Sequence, residues 1–190
     1  MTLDLSRCRL SPFKHQIIGV EKLLDHPYFF IADEMGNGKT KQVLDASQVL
    51  FTQGLIDRVI IIAPASVKSV WYDEDFGEIA KHIWKDLPFC VLEFHTKNRA
   101  WGPDNGTKPW LQFFITNYEY IRSKDRLIQL LPYCNARTLL VLDESSAVKS
   151  HRAQQTSACL QLRKACGRVV LLNGTPVANS PGDLYSQANI

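Results

Sequence analysis

The sequence predicts an α/β protein with a mainly parallel sheet and helices on both faces. Short aliphatic runs alternate with longer amphipathic stretches along the 190 residues, which is the order of elements that builds parallel sheets. The run Val59-Ile60-Ile61-Ile62 has no polar alternation, as expected of a strand that is buried on both faces. Polar or glycine-rich turns follow the aliphatic runs, at the sheet edge where such folds bind ligands.

Apolar residues at helical spacing and local end signals predict the helices. Ser11 and Pro12 indicate the N-cap and first turn of the first helix, and His26-Pro27 ends it. Gly167 is the stop signal of the last helix. The remaining helices are predicted over residues 39–53, 67–83, 125–131 and 151–166.

Aliphatic runs predict the strands, which cover residues 28–32, 58–63, 89–92, 111–116, 138–142 and 168–172. Between the third and fourth strands the chain is rich in glycine and proline. Residues 96–109 are therefore predicted to form a loop.

The composition is that of an ordinary soluble globular protein, with 45% hydrophobic residues and a net charge of +3. It excludes a disordered, collagen-like or disulfide-scaffold protein, and the length suits a single domain over residues 1–190. The five cysteines form no CxxC pair, so reduced thiols are expected. No signal peptide is evident, and the longest aliphatic run, Val59–Ala63, is too short to span a membrane.

The turn after the first strand, residues 33–40, reads DEMGNGKT and predicts a phosphate-binding loop. Gly36 and Gly38 let the backbone turn tightly and aim N–H groups at phosphate oxygens. Lys39 would supply a point charge to the β- and γ-phosphates, and Thr40 would place its hydroxyl on Mg²⁺. The alternative is a tight strand-to-helix turn with an incidental lysine and threonine.

A second candidate feature is the acidic pair Asp143-Glu144, which follows an aliphatic strand. Asp143 would hold Mg²⁺, usually through water. Glu144 would orient and deprotonate an attacking water. The alternative for this pair is a solvated acidic turn. By themselves, Gly174-Thr175-Pro176 would be an ordinary turn and Gln16 an ordinary surface residue.

Together these residues resemble the first RecA-like lobe of Swi/Snf-type DNA translocases in helicase superfamily two. The phosphate loop is similar to the family motif ADEMGLGKT and departs from it at Asn37. Ser150 and Asn173 stand where the family has asparagine and threonine. The resemblance rests on motifs in the family's order, which read FKHQ, ADEMGNGKT, IAPASV with Trp71 and Glu74, ITNYE with Arg122, DESS with Lys149, and LNGTP with Asn179.

The resemblance implies a RecA-like P-loop NTPase domain that binds ATP with Mg²⁺. The implied ATP-binding residues are Gln16, Met35, Gly36, Asn37, Gly38, Lys39 and Thr40. Among them, Gln16 would bind the edge of the adenine base. The implied catalytic residues are Lys39, Asp143 and Glu144, and the implied metal ligands are Thr40 and Asp143. The implied coupling residues are Gly174 and Thr175. The implied nucleic-acid contacts are Ser66, Lys68, Asn117, Tyr118, Arg122 and Lys149.

The expected function is therefore that of the ATP-binding lobe of a DNA-dependent ATPase, with double-stranded DNA as a sequence-non-specific partner. Hydrolysis is expected to need a second RecA-like lobe, in cis or in trans, that supplies arginines. The expected location is cytoplasmic with the nucleoid, or nuclear in a eukaryote, and the compact loops resemble bacterial or phage members. Two alternatives remain, which are a non-enzymatic ATP- or DNA-binding regulatory module and an unrelated phosphate-loop kinase or NTPase.

Overall fold

The computed structural model describes residues 5–94, 99–101, 110–148, 153–174, 187 and 190. Their strands are β1 (Tyr28–Ile31), β2 (Arg58–Ala63), β3 (Phe89–Glu93), β4 (Arg99–Trp101), β5 (Leu111–Asn117), β6 (Thr138–Leu142) and β7 (Arg168–Leu172). They form one sheet in the order β1-β7-β6-β2-β5-β3-β4. Every pairing is parallel except that of β4 with β3. The predicted mainly parallel sheet is confirmed.

The first helix precedes β1, and the other helices lie between strands along the chain. They are α1 (Lys14–Asp25), α2 (Lys39–Thr52), α3 (Lys68–Tyr72), α4 (Glu78–His82), α5 (Tyr118–Ile121), α6 (Lys124–Leu130) and α7 (Gln154–Ala165). Two short 3₁₀ turns cover Leu131–Tyr133 and Ser145–Val148. Within the described part of the chain, every helix is too short or too polar to cross a membrane.

Strand β2 explains why the central aliphatic run lacks alternation. Val59 and Ile61 pack into a hydrophobic layer with side chains of α1 to α4. Ile60 and Ile62 point to the opposite face and pack with α5 to α7. Because both faces of the sheet are covered, every residue of this run must be apolar. The prediction of helices on both faces is confirmed.

The first helix begins later than the sequence signals suggest, so the prediction of Ser11 as its N-cap is wrong. α1 starts at Lys14 with Phe13 as its N-cap residue. The backbone N–H of Phe13 donates to Oε1 of Gln16 at 3.0 Å. The Gln16 side chain, at the third position of the helix, thus accepts a hydrogen bond from the backbone N–H of the N-cap residue, which is one half of a capping box.

The single helix predicted over residues 67–83 is also wrong, because the chain breaks between α3 and α4. Oδ1 of Asp73 accepts hydrogen bonds from the backbone N–H groups of Asp75 at 3.0 Å and Phe76 at 2.8 Å. Such an Asx turn competes with helix formation. A Cβ on Gly77 would lie 2.4 Å from the carbonyl oxygen of Asp73, so the turn requires glycine at this position.

Two elements escaped the sequence-based expectations. Strand β4 lies inside the predicted loop 96–109, whose residues 96–98 and 102–109 are outside the described part. The short helix α5 follows β5 directly and begins with Asn117 as its N-cap. Both elements are shorter than the windows in which periodicity can be recognised.

Candidate nucleotide site

The predicted phosphate loop connects β1 to the first residue of α2. Gly36 and Gly38 have φ angles of 83° and 72°, which lie in the left-handed region that glycine adopts without strain. A Cβ on Gly38 would also lie 2.3 Å from Nε2 of Gln16. Glycine at position 38 therefore suits the backbone angle, and it leaves room for the Gln16 amide beside the loop.

Lys39 extends its ammonium group back across the phosphate loop. Nζ donates to the carbonyl oxygen of Asp33 at 2.7 Å and to that of Glu34 at 3.0 Å. Gln42, one turn further along α2, donates through Nε2 to Oδ2 of Asp33 at 2.8 Å. The positive charge is thus held within the loop, where the predicted phosphate contact requires it.

Gln16 links α1 to the phosphate loop. Its side chain is only 5% exposed, and its Nε2 donates to the carbonyl oxygen of Asn37 at 3.2 Å. Nε2 of His15 lies 3.0 Å from the same oxygen. Gln16 is thereby bonded to the protein at both ends of its amide, through Phe13 and Asn37, while its contact with adenine stays a prediction.

The acidic pair follows β6 on the same edge of the sheet. The indole Nε1 of Trp71 donates to Oδ2 of Asp143 at 2.8 Å, and the backbone N–H of Glu144 donates to Oδ1 at 3.0 Å. Burial raises the pKa of the Asp143 carboxyl group, although these two donors and the charge of Lys39 oppose the rise. Glu144 adopts a φ of 47°, a left-handed angle that is uncommon outside glycine.

One cavity of about 410 Å³ joins the phosphate loop to the acidic pair. Its wall brings Lys39 and Thr40 together with Asp143 and Glu144, about 100 residues further along the chain. The complete lining is Met35, Gly36, Gly38, Lys39, Thr40, Val67, Val70, Trp71, Glu78, Asp143 and Glu144. A hydroxyl and carboxylates are the oxygen ligands that Mg²⁺ prefers, and a lysine beside loop N–H groups suits phosphate. This set of residues fits a magnesium–nucleotide complex.

The sequence motifs missed Glu78, which lies on the wall of this cavity. Hydrogen bonds from His82 and then Lys81 lower the pKa of Glu78 to about 2, against the opposing effect of burial. The contacts are 2.9 Å to Nζ of Lys81 and 3.2 Å to Nε2 of His82. No motif marks this glutamate, which α4 places on the cavity wall as its first residue.

The end of β7 meets the phosphate loop, as the predicted coupling role requires. A Cβ on Gly174 would lie 3.0 Å from Cγ of Met35 and 3.7 Å from Nζ of Lys39. Thr175 lies outside the described residues. Asn173, one of the departures from the family pattern, donates through Nδ2 to Oε1 of Gln187 at 3.1 Å, and Oγ of Ser145 donates to the same oxygen at 2.7 Å.

The predicted DNA contacts divide into exposed and buried residues. Ser66 lies exposed in the turn before α3, and Arg122 lies exposed at the end of α5. Lys68 is instead buried, and its Nζ lies 2.6 Å from Oε1 of Glu93. In this arrangement its charge is neutralised inside the protein, in contrast to the expected contact with a phosphate. Lys149 lies outside the described residues.

The other two proposed DNA contacts also have partners inside the protein. The hydroxyl of Tyr118 donates to the carbonyl oxygen of Asp143 at 2.8 Å, and burial raises the pKa of this phenol well above its usual value. Oδ1 of Asn117 accepts from the backbone N–H of Tyr120 at 2.7 Å and caps α5. Both side chains support the acidic pair and its neighbouring helix, whereas the motifs predict them on a DNA surface.

Comparison with known proteins connects this geometry to one family. The model of the SNF2-related domain matches residues 16–189. Protein CHROMATIN REMODELING 25 of Arabidopsis thaliana is 30% identical over 167 residues, which are 84% of this chain and 17% of that protein. The DNA repair and recombination protein RAD54 of Oryza sativa subsp. japonica is 29% identical over 167 residues, covering 84% of this chain and 16% of its own. The chain therefore spans about a sixth of the length of these relatives.

A solved structure has the same fold. It is the Sulfolobus solfataricus SWI2/SNF2 ATPase core in complex with dsDNA, which superposes with a TM-score of 0.71 at 21% identity. The superposition covers 98% of this chain and 37% of the archaeal chain. The predicted RecA-like fold of the first lobe is thereby confirmed.

Proposed function

Because this chain belongs to the SNF2-related domain family, we propose that it is the ATP-binding lobe of a DNA-dependent ATPase of the translocase type. The observation that carries the proposal is the cavity shared by the phosphate loop and the acidic pair. It supports the residue roles implied by the motifs, since Lys39, Thr40, Asp143 and Glu144 all line it. Membership of this family disfavours both a purely regulatory module and an unrelated phosphate-loop kinase.

Each of these residues has a distinct task in the proposed reaction. Lys39 exchanges its bonds to the loop carbonyl groups for bonds to the β- and γ-phosphates, while the loop N–H groups orient the same oxygens. Thr40 would hold Mg²⁺ through its hydroxyl, and Asp143 would hold it through water. When bound, Mg²⁺ neutralises the charge that develops on the phosphate oxygens. Glu144 accepts the proton of the attacking water.

We propose that efficient hydrolysis also uses a second RecA-like lobe, in cis or in trans. Among the described residues that line the cavity, Lys39 alone carries a positive charge. Arginines supplied to the transition state of phosphoryl transfer accelerate it by about 10³–10⁵. A lobe with only a lysine at the phosphates would bind nucleotide and turn it over slowly.

The proposed macromolecular partner is double-stranded DNA, which the protein binds without sequence preference. The proposed location follows from this partner and is a nucleoid, or a nucleus in a eukaryote. The archaeal ATPase core is described in complex with dsDNA, which supports this partner. Ser66 and Arg122 offer a hydroxyl and a guanidinium in exposed positions, and such groups contact phosphates. Binding that depends on phosphate contacts weakens as salt rises.

Calorimetric titration with Mg²⁺ and ATP tests the nucleotide site. Lys39→Ala is expected to weaken binding at least tenfold, because the only cation among the described lining residues is lost. Lys22→Ala, which removes an exposed lysine of α1, serves as the matched control and should bind as the unchanged protein does. Equal affinities of the unchanged protein and Lys39→Ala would contradict the proposed site.

A hydrolysis assay at saturating DNA tests the need for a second lobe. We expect turnover well below about 1 s⁻¹, the lower end of typical enzymes, from the 190-residue chain alone. Turnover at or above that rate would contradict the need for a second lobe, and it would leave the proposed nucleotide site unaffected.

A further inference from the structure

We infer that Trp71 is a positioning residue, whose indole N–H fixes the orientation in which the Asp143 carboxylate meets Mg²⁺. The inference rests on the proposed function, because it concerns the metal side of the same site. It assigns a specific task to a tryptophan of α3 that could otherwise be taken for a core side chain.

The geometry restrains both oxygens of the carboxylate. Oδ2 accepts from Nε1 of Trp71 at 2.8 Å, and Oδ1 accepts from the backbone N–H of Glu144 at 3.0 Å. The last torsion of an aspartate side chain is broad, so the carboxylate plane is set by donors around it. A carboxylate has about four lone-pair sites, and two donors leave about half of them for Mg²⁺ or its bound water.

Both contacts of Asp143 also suit the charged carboxylate. An indole N–H only donates, so it favours the ionised acceptor and offers no competing oxygen to the metal. The indole cannot drift, because Trp71 is 1% exposed within the hydrophobic layer of α1 to α4. Phenylalanine could fill most of the same space. Packing therefore accounts for an aromatic ring here, and the bond to Asp143 accounts for the nitrogen.

Helix α3 is itself held in place at its first residue. The backbone N–H groups of Val67 and Lys68 donate to the carbonyl oxygen of Pro64 at 3.1 and 3.0 Å. The Lys68–Glu93 ion pair ties the same end of the helix to β3. Trp71 is thus mounted on a restrained element, as a residue that orients a metal ligand must be.

The hydrogen bond can be tested in the metal-free protein by ¹⁵N NMR of the indole N–H groups. The Trp71 signal is assigned by its loss in Trp71→Phe. Asp143→Ala is expected to shift the Trp71 indole signal and to leave that of Trp84 in place, because Trp84 lies in the same hydrophobic layer without a bond to Asp143. A Trp71 signal that does not move would overturn the inference, whatever the protein binds.

The metal role is tested by electron paramagnetic resonance titration of Mn²⁺ in the presence of ADP. Trp71→Phe is expected to weaken Mn²⁺ binding by about tenfold, the lower end of the effect of removing a partner of a metal ligand. Because Trp71 also lines the cavity, the affinity of Trp71→Phe for ADP in the presence of EDTA is measured in parallel, and the loss of Mn²⁺ binding is expected to exceed any loss of ADP binding. Trp84→Phe is the matched control, since it removes an equally buried indole from the same layer.

Two outcomes of this titration would overturn the inference, namely unchanged Mn²⁺ binding by Trp71→Phe or an equal loss in Trp84→Phe. If the unchanged protein binds neither ADP nor Mn²⁺ with ADP, the proposed function fails instead. Should Trp71→Phe not fold, benzothienylalanine at position 71 keeps the shape of the ring and removes only the N–H. The same two titration outcomes then apply to that protein.

Discussion

Gly38 is the residue at which the phosphate loop comes closest to α1. Its φ of 72° suits glycine, and a Cβ would lie 2.3 Å from Nε2 of Gln16. Gly54 has a φ of 71° but no atom within 4 Å of an added Cβ. The two residues share the same backbone requirement and differ only in the space around them.

This contrast predicts different costs for the same substitution. Gly54→Ala should lower the free energy of unfolding by about 1–2 kcal/mol, the cost of a left-handed angle for an L-residue. Gly38→Ala should cost more, because the Gln16 amide must also move, and it should weaken nucleotide binding. Urea denaturation and calorimetry measure the two effects. Equal stability losses, with nucleotide affinity intact, would contradict the close approach of Gly38 to Gln16.

Lys68 shows how a residue with the charge of a phosphate contact can be structural. Its Nζ and Oε1 of Glu93 are 2.6 Å apart, and each side chain is 8% exposed. Removing one partner from a buried pair leaves an uncompensated charge, which is costly. Replacing both partners by apolar residues of similar size often costs little.

Lys68→Ala should therefore lower the free energy of unfolding by about 3–5 kcal/mol. The double variant Lys68→Met with Glu93→Leu should recover most of that loss, because no buried charge remains unpaired. Urea denaturation measures both. If Lys68→Ala instead leaves stability unchanged and weakens DNA binding, Lys68 is a DNA contact and not a structural residue.

Helix α4 places one carboxylate in the cavity beside two hydrogen-bond donors of the same helix. Glu78 at its first position faces Lys81 and His82 one turn later. Their hydrogen bonds, that of His82 first, lower the pKa of Glu78 to about 2 from 4.5. A lowered carboxyl pKa stabilises the folded state above the unfolded pKa, and this stabilisation is lost as the pH falls through the folded value.

We therefore expect Glu78→Gln to change the pH dependence of thermal stability. The difference in Tm between the unchanged protein and Glu78→Gln should shrink as the pH falls from 4.5 towards 2. Glu21→Gln, at an exposed position of α1, is the control and should show little difference at any pH. A Glu78→Gln difference that does not vary between pH 4.5 and 2 would show that α4 does not hold this carboxylate ionised.

At the scale of the whole molecule, the sheet separates two hydrophobic layers. Ile79 of α4 belongs to one layer and Ile121 of α5 to the other, and both are at most 1% exposed. Substitutions at distant sites without shared partners usually add. The sheet between the layers should therefore keep the two sites energetically independent.

Ile79→Val and Ile121→Val should each lower the free energy of unfolding by about 0.5–1.5 kcal/mol. The double variant should lose the sum within about 0.5 kcal/mol. Urea denaturation of the three variants completes the cycle. An interaction energy above about 1 kcal/mol would mean that the layers repack as one core.

Much of the fold, and the phosphate loop and acidic pair of the site, can be predicted from patterns among residues that are neighbours in the chain. The run Val59-Ile60-Ile61-Ile62 predicts a doubly covered strand, and Gly36, Gly38, Lys39 and Thr40 predict a phosphate loop, because each pattern depends on neighbours in the chain. The sequence does not predict the break between α3 and α4. The apolar residues on both sides of Asp73 recur at helical spacing, and this signal is stronger than that of an Asx turn. The burial of Lys68 could not be seen either, because its partner lies on β3.

Patterns among neighbouring residues therefore predict the parallel sheet, the phosphate loop and the acidic pair. Hydrophobic periodicity and glycine geometry act over a few residues and can be read along the chain. The three-dimensional packing, by contrast, selects the side chains that support the site. Trp71 and Asp143 are 72 residues apart, and Glu78 reaches the cavity through a turn. Their contacts depend on how the helices pack on the sheet, because the separation of two residues in the sequence does not predict whether they meet in the fold.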